Sequence, residues 1–184
     1  AAVKRAVSIP VSGVGRLDHK IAERILEEGK VDLVCFGRRL MADPELPKKL
    51  AEGREEDIRP CLGCINCYHM YLLNQPVQCR MNAFAGNETQ MILKPAEKKK
   101  RVMVVGAGPA GMEAARVAAT RGHEVLLYDK ASRLGGALPL VSLVKGIQND
   151  NVDEAIKYYK IQLRKLGVKT YMDKTVAAAL VSRI

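Results

Sequence analysis

Cys61, Cys64 and Cys67 recur at every third position, and Cys79 follows after eleven intervening residues. Thiolates spaced this way on a tight loop can take three corners of a cubane iron–sulfur cluster while a more distant cysteine closes the fourth. A zinc site usually pairs its ligands as two separated C-x-x-C knuckles, and here the second pair is missing. The spacing favours an iron–sulfur cluster, with zinc ligation and unligated structural cysteines as the alternatives. His69 lies inside the run, but four cysteines already complete a ligand set and it reads as a bystander. The fifth cysteine, Cys35, falls in an apolar run and reads as a small buried hydrophobe. An odd count with four members clustered argues for a reducing compartment, hence a cytoplasmic location, rather than a disulfide framework.

A second constellation is Gly106-Ala107-Gly108-Pro109-Ala110-Gly111, directly after the apolar run 102–105. Gly106 permits a tight turn, Gly108 lets the backbone approach a pyrophosphate, and Gly111 allows a helix to pack closely on its strand, with the helix amino terminus facing the phosphates. Asp129 follows Gly111 by 18 residues at the end of the next apolar run. There a carboxylate can accept a hydrogen bond from an adenosine ribose and would repel a 2′-phosphate, which favours FAD or NAD over NADP at this position. Leu134-Gly135-Gly136 is a second flexible turn able to line the same crevice. Earlier in the chain, Gly13-Val14-Gly15-Arg16 and Gly37-Arg38 each follow an apolar run. Backbone amides and a basic side chain converge in this way on the phosphate site of a (β/α)8 barrel; strand-end glycines with solvated arginines are the plainer reading.

The elements that must position these residues follow from periodicity and punctuation. Residues 7–11 read as a short parallel strand with Pro10 near its end, and 12–16 as a glycine-containing turn. Asp18 caps a helix to about Glu28, whose apolar side is Ile21, Ala22, Ile25 and Leu26, and Gly29 stops it. Residues 31–36 form the next strand. Asp43-Pro44-Glu45 is a helix start, an N-cap followed by Pro at the first helical position, and Gly53 ends that helix. A second strand–helix–strand unit begins at Arg101, with strands at 102–105 and 124–128 around a helix from Pro109 to about Arg121. A further helix, about 152–166, precedes a strand at 168–172.

Of the 184 residues, 48% are hydrophobic and 27% charged, and the mean hydropathy is −0.08, a globular composition. No apolar run approaches the roughly 20 residues that span a bilayer. The net charge of +10 invites a nucleic-acid reading, but the one dense basic run, Lys98-Lys99-Lys100-Arg101, has no aromatic neighbour for stacking on bases. It reads as a solvated linker, and no nucleic-acid partner is expected. The start, AAVKRAVSIP, has no initiator Met or signal-peptide core, and reads as lying inside a longer protein.

The ordered set GVGR, FGRRLMADPELPKKL, RPCLGCINC with Cys79, and VMVVGAGPAGMEAA resembles the NADH:flavin oxidoreductase family of trimethylamine dehydrogenase, 2,4-dienoyl-CoA reductase and 2-enoate reductase. The likeness covers nearly the whole chain. It implies an α/β fold made of the carboxy-terminal βα units of a TIM barrel (1–60), a cysteine-rich cluster loop (61–84), a linker (85–100) and the first part of a Rossmann-like FAD/NAD(P)-binding domain (101–184). By resemblance, Arg16, Gly37 and Arg38 match FMN-phosphate positions; Cys61, Cys64, Cys67 and Cys79 match the ligands of a 4Fe-4S cluster; and Gly106, Gly108, Gly111, Asp129 and Gly136 match adenine-nucleotide positions. A full barrel needs about 250 residues, so the groups that bind substrate and supply a proton are expected outside this chain. The implied activity is NAD(P)H-dependent reduction of an activated carbon–carbon double bond in a small molecule, through FAD, the cluster and FMN, by a homo-oligomeric parent. The alternatives are an amine dehydrogenase passing electrons to a carrier protein, and a truncated, noncatalytic cluster- or nucleotide-binding module. The spacing after Cys64 is similar to the amine-dehydrogenase branch, and Ala137 stands where dienoyl-CoA reductases carry Gln.

Overall fold

Pro10 has no amide to offer a sheet, and strand pairing starts only beyond it. The computed structural model describes residues 2–145 and 151–181. After a short helix α1 (Ala2–Ala6), strand β1 (Ser12–Val14) pairs in parallel with β2 (Leu33–Cys35), Gly13 opposite Val34. The expected strand at 7–11 is therefore displaced: Val7 and Ile9 are exposed, and the ladder opens with Val11, whose carbonyl accepts from the Asp32 and Leu33 amides and whose own amide donates to Asp32 Oδ2 at 2.7 Å. Between the strands lies α2 (His19–Glu27). The Asp18 carboxylate accepts from the Ile21 amide at 2.7 Å, and Gly29 terminates the helix at φ +62°, as its sequence signals require.

Beyond β2 the chain turns straight into α3 (Arg38–Ala42), then α4 (Leu46–Ala51) and a single 3-10 turn at Glu55–Asp57. The helix start expected at Asp43-Pro44 is corrected to Leu46, although Asp43 Oδ1 still accepts from the Glu45 amide at 3.1 Å, as a capping side chain does. Helix α4 starts at Leu46 with Pro47 in its first turn, and Asp43, 2% exposed, serves a wider purpose. Its carboxylate accepts from Lys49 Nζ at 2.7 Å and from the Arg59 amide at 2.7 Å, fixing the segment that leads into the cysteines. Helix α5 (Asn66–Leu72) lies inside the cysteine loop.

The second unit is a three-stranded parallel sheet in the order β3 (Arg101–Val105), β4 (Glu124–Tyr128), β5 (Lys169–Tyr171), with Val105 opposite Tyr128 and Tyr128 opposite Tyr171. Helix α6 (Pro109–Thr120) connects β3 to β4, and α7 (Leu138–Lys145) and α8 (Val152–Lys165) precede β5; a last turn, α9, covers Ala178–Val181. The main core lies here, where Met112 and Ala115 of α6, Val125 and Leu127 of β4, and Ala155, Tyr159 and Leu163 of α8 interlock. Buried α8 positions 152, 155, 159 and 163 recur at helical spacing. Among the described residues no helix is long and apolar enough to cross a membrane.

Candidate functional site

Parallel pairing puts the carboxyl ends of β1 and β2 side by side, so the turns beyond them face one another. Gly15 at φ +116° and Arg16 at φ +48° reverse the chain after β1; the left-handed region suits glycine and is uncommon for arginine. A cavity of about 260 Å³ opens between these turns, walled by Gly15, Arg16, Gly37, Arg38, Cys61 and Asn151 among others. The structure thus brings Arg16, Gly37 and Arg38 together. Cys35 is corrected: it is exposed, lines this cavity, and its Sγ lies 3.2 Å from Ser12 Oγ, because the strand end carries no covering layer.

All four clustered cysteines line a second, smaller cavity together with Arg38 and Arg80. Gly63 at φ +77° and Ile65 at φ +50° fold the backbone back between Cys61, Cys64 and Cys67. The far side is held by polar contacts that spacing alone did not flag. Asn66 Nδ2 donates to the Gln78 carbonyl at 3.2 Å, and the buried Asn82 donates to the Met41 carbonyl at 2.9 Å. A side chain at Gly86 would place its Cβ 2.3 Å from the Val77 carbonyl oxygen. Burial pushes the Cys79 thiol up, the amides of Met81 and Asn82 pull it down, and nearby Cys61 and Cys64 push it up further. Among the described residues no three His, Cys, Asp or Glu side chains converge closely enough to hold a single metal ion. The cavity's donor set is thiols alone, soft ligands suited to iron–sulfur clusters, zinc or copper(I). His69 does not line it and is exposed.

In the second unit Gly108 N-caps α6 with Pro109 in the first turn, and Gly106 turns at φ +106°. A Cβ on Gly111 would lie 1.8 Å from the Gly106 carbonyl oxygen, so this glycine is demanded by the helix–strand packing. Gly136, at φ +55°, meets Gly108 backbone to backbone: its Cβ would stand 2.9 Å from Gly108 Cα. The two glycine turns are therefore one surface at the amino terminus of a twelve-residue helix, where free amides favour an anion. Asp129 is already engaged, accepting from the Ala107 amide at 2.5 Å and the Ala131 amide at 2.8 Å. These bonds, Ala131's foremost, hold its carboxyl below the ordinary range. A carboxylate has about four acceptor sites, which leaves capacity for a ribose hydroxyl.

A barrel-type corner with an arginine-lined cavity, a thiol-lined loop and a Rossmann-like dinucleotide unit define a flavin-oxidoreductase class of architecture. Residues 1–57 match the NADH:flavin oxidoreductase / NADH oxidase family and 104–159 match a NAD(P)-binding Rossmann-like domain. The chain belongs to the NADH:flavin oxidoreductase family, whose members are flavin-dependent oxidoreductases. It is 40% identical to a NADH oxidase of Thermoanaerobacter brockii, over 99% of this chain and 28% of that protein. A solved 2-naphthoyl-CoA reductase is 37% identical with a TM-score of 0.89, over 98% of this chain and 28% of its own. A solved 6-hydroxypseudooxynicotine amine oxidase from Pseudomonas geniculata N1 is 32% identical with a TM-score of 0.91, again over 98% and 28%. The chain spans about a quarter of the length of the curated relatives it matches.

Proposed function

We propose that this chain is the junction of a larger flavin and iron–sulfur oxidoreductase, in which the phosphate of FMN, a 4Fe-4S cluster and the adenine-nucleotide end of FAD are held in succession. The observation that carries this reading is that the phosphate-type cavity and the cysteine cavity share Arg38 and Cys61 as walls, so a flavin and a cluster seated there would be neighbours. The four cysteines line one cavity, and thiols are soft ligands that suit an iron–sulfur cluster; three of them at every third residue with a distant fourth is the spacing that favours the cluster over zinc. In this reading Arg16, Gly37 and Arg38 hold the FMN phosphate, Cys61, Cys64, Cys67 and Cys79 ligate the cluster, and Gly106, Gly108, Gly111, Asp129 and Gly136 form the nucleotide cradle. The bound cofactors supply the hydride and one-electron chemistry; these residues bind, space and orient them. Segment limits near 60, 84 and 100 belong to the same proposal, as do a cytoplasmic setting and a homo-oligomeric parent.

The reaction proposed for the full-length protein is NAD(P)H-dependent reduction of an activated carbon–carbon double bond in a small molecule, supported by the likeness to 2-naphthoyl-CoA reductase. The likeness to the amine oxidase supports a second reading, amine oxidation with electrons leaving through the cluster to a carrier. The full-length parent, purified anaerobically, separates them by two assays: NADH or NADPH oxidation driven by an α,β-unsaturated carboxylate or thioester, and artificial-acceptor reduction driven by a methylated amine. Turnover in the first alone supports the alkene reading. Turnover in the second alone replaces it with the amine reading, and turnover in neither by protein loaded with flavin and iron contradicts both.

A further inference from the structure

We infer that Asn151 is a positioning residue for the first cluster cysteine, an assignment that rests on the cluster reading above. Asn151 occupies the N-cap of α8, where an asparagine side chain ordinarily accepts a hydrogen bond from the helix's own first-turn amides. Here it makes no such bond. Its Nδ2 instead donates to the Cys61 carbonyl at 3.3 Å, across 90 positions of sequence, while its backbone amide donates to the Leu62 carbonyl at 3.0 Å. One residue of the nucleotide unit therefore pins two successive peptide groups of the cysteine loop. The chain turns immediately afterwards at Gly63, φ +77°. The orientation of the pinned peptides thus sets where Cys61 Sγ points and from where the loop proceeds to Cys64.

The far end of the same helix holds the same segment. Gln162 Nε2 and Lys165 Nζ donate to Asp57 Oδ1 at 2.9 and 2.8 Å, and Lys165 also pairs with Glu56. Helix α8 is a splint laid along residues 57–62, with Asn151 at the end that reaches the cysteine. Asn151 and Cys61 are both walls of the phosphate-type cavity, so the splint grips the cysteine that stands between the two proposed cofactors. Groups behind a metal ligand orient it, and their loss typically costs about 10- to 100-fold in metal affinity. Hydrogen bonding around an iron–sulfur cluster is also a lever on its potential.

The test uses the full-length holoenzyme with Asn151→Ala, Asn151→Asp and Lys165→Ala. Because the Asn151 side chain makes no cap bond, the alanine variant leaves the helix's own hydrogen bonds intact. The aspartate variant turns a donor into an acceptor facing a carbonyl. Lys165→Ala loosens the distal end of the splint and controls for general weakening of the junction. The readouts are FAD content, the electron paramagnetic resonance spectrum of the reduced cluster, its midpoint potential, and the rate of iron release in air. Both Asn151 variants are expected to keep FAD, to release iron about tenfold faster, and to show an altered spectrum and potential, with the aspartate change the larger. Lys165→Ala is expected to keep the wild-type spectrum. Wild-type spectra, potential and iron release in both Asn151 variants overturn the assignment, and so do identical changes in Lys165→Ala. Wild-type protein without iron and sulfide overturns the cluster reading and this assignment with it.

Discussion

At Gly111 and Gly108 the same residue type serves two different ends, and substitution separates them. A Cβ at Gly111 meets a backbone oxygen at 1.8 Å that cannot move aside, whereas at Gly108 the nearest atom, Gly136 Cα, is 4.0 Å away. Gly111→Ala is expected to destabilise the nucleotide unit by about 3 kcal/mol or more, the upper end of overpacking costs. Gly108→Ala should cost only about 1 kcal/mol or less, as an N-cap change, yet weaken nucleotide binding by occupying the open side of the turn. Urea denaturation and FAD titration of the parent carrying each variant check both. Asp129 adds a pH dependence. The amides of Ala131 and Ala107 lower its folded pKa, so its contribution to stability is fully present above the ordinary aspartate range near pH 3.9. It is lost as pH falls through the lower folded value. The stability gap between wild type and Asp129→Asn should accordingly be open at pH 7 and narrow under acid; a gap constant down to pH 2 contradicts the assignment of those bonds.

Among the elements, Asp43 shows what a local reading of sequence misses. Asp-Pro-Glu is a sound local signal, answered where Asp43 Oδ1 accepts from the Glu45 amide, but Oδ2 is recruited by Lys49 and by the Arg59 amide sixteen residues on, a tertiary demand that no local pattern announces. Removing one partner of a buried pair leaves the other charge stranded, at about 3–5 kcal/mol. Asp43→Ala should lower stability by that order, measured by thermal or urea unfolding, and loosen the approach to Cys61. Strands β3 and β4, helices α2, α6 and α8 and the two glycine turns were legible because each carries its own punctuation: Asp18 and Gly29, Pro109, the buried period of α8. The strand expected at 7–11 starts later and Cys35 is exposed, because a short apolar run does not reveal which residue starts the ladder or what covers it. The co-location of the four cysteines was legible from spacing, whereas Asn66, Asn82, Gly86 and Asn151 act through carbonyls distant in sequence or through close backbone packing, and nothing local marks them.

On the scale of the whole molecule, the two units are unequally packed. The main core lies in the nucleotide unit, while on the barrel-type unit the strand residues Val14 and Leu33 are 73% and 59% exposed. Exposed apolar strand residues on an open sheet edge favour association. The 184-residue chain alone is expected to self-associate and to bind FMN weakly despite Arg16 and Arg38, as sedimentation and flavin titration would show. Monomeric chain with tight, stoichiometric FMN would contradict the barrel assignment. In the proposed reading the thiol-lined cavity belongs to an iron–sulfur cluster beside a flavin site. Metal and acid-labile sulfide analysis of the anaerobically purified parent, repeated after Cys→Ala changes at Cys61, Cys64, Cys67, Cys79 and Cys35, tests it most directly. About four iron and four sulfide per chain are expected, lost on changing any of the first four and retained on changing Cys35; one zinc per chain with no sulfide would overturn the cluster.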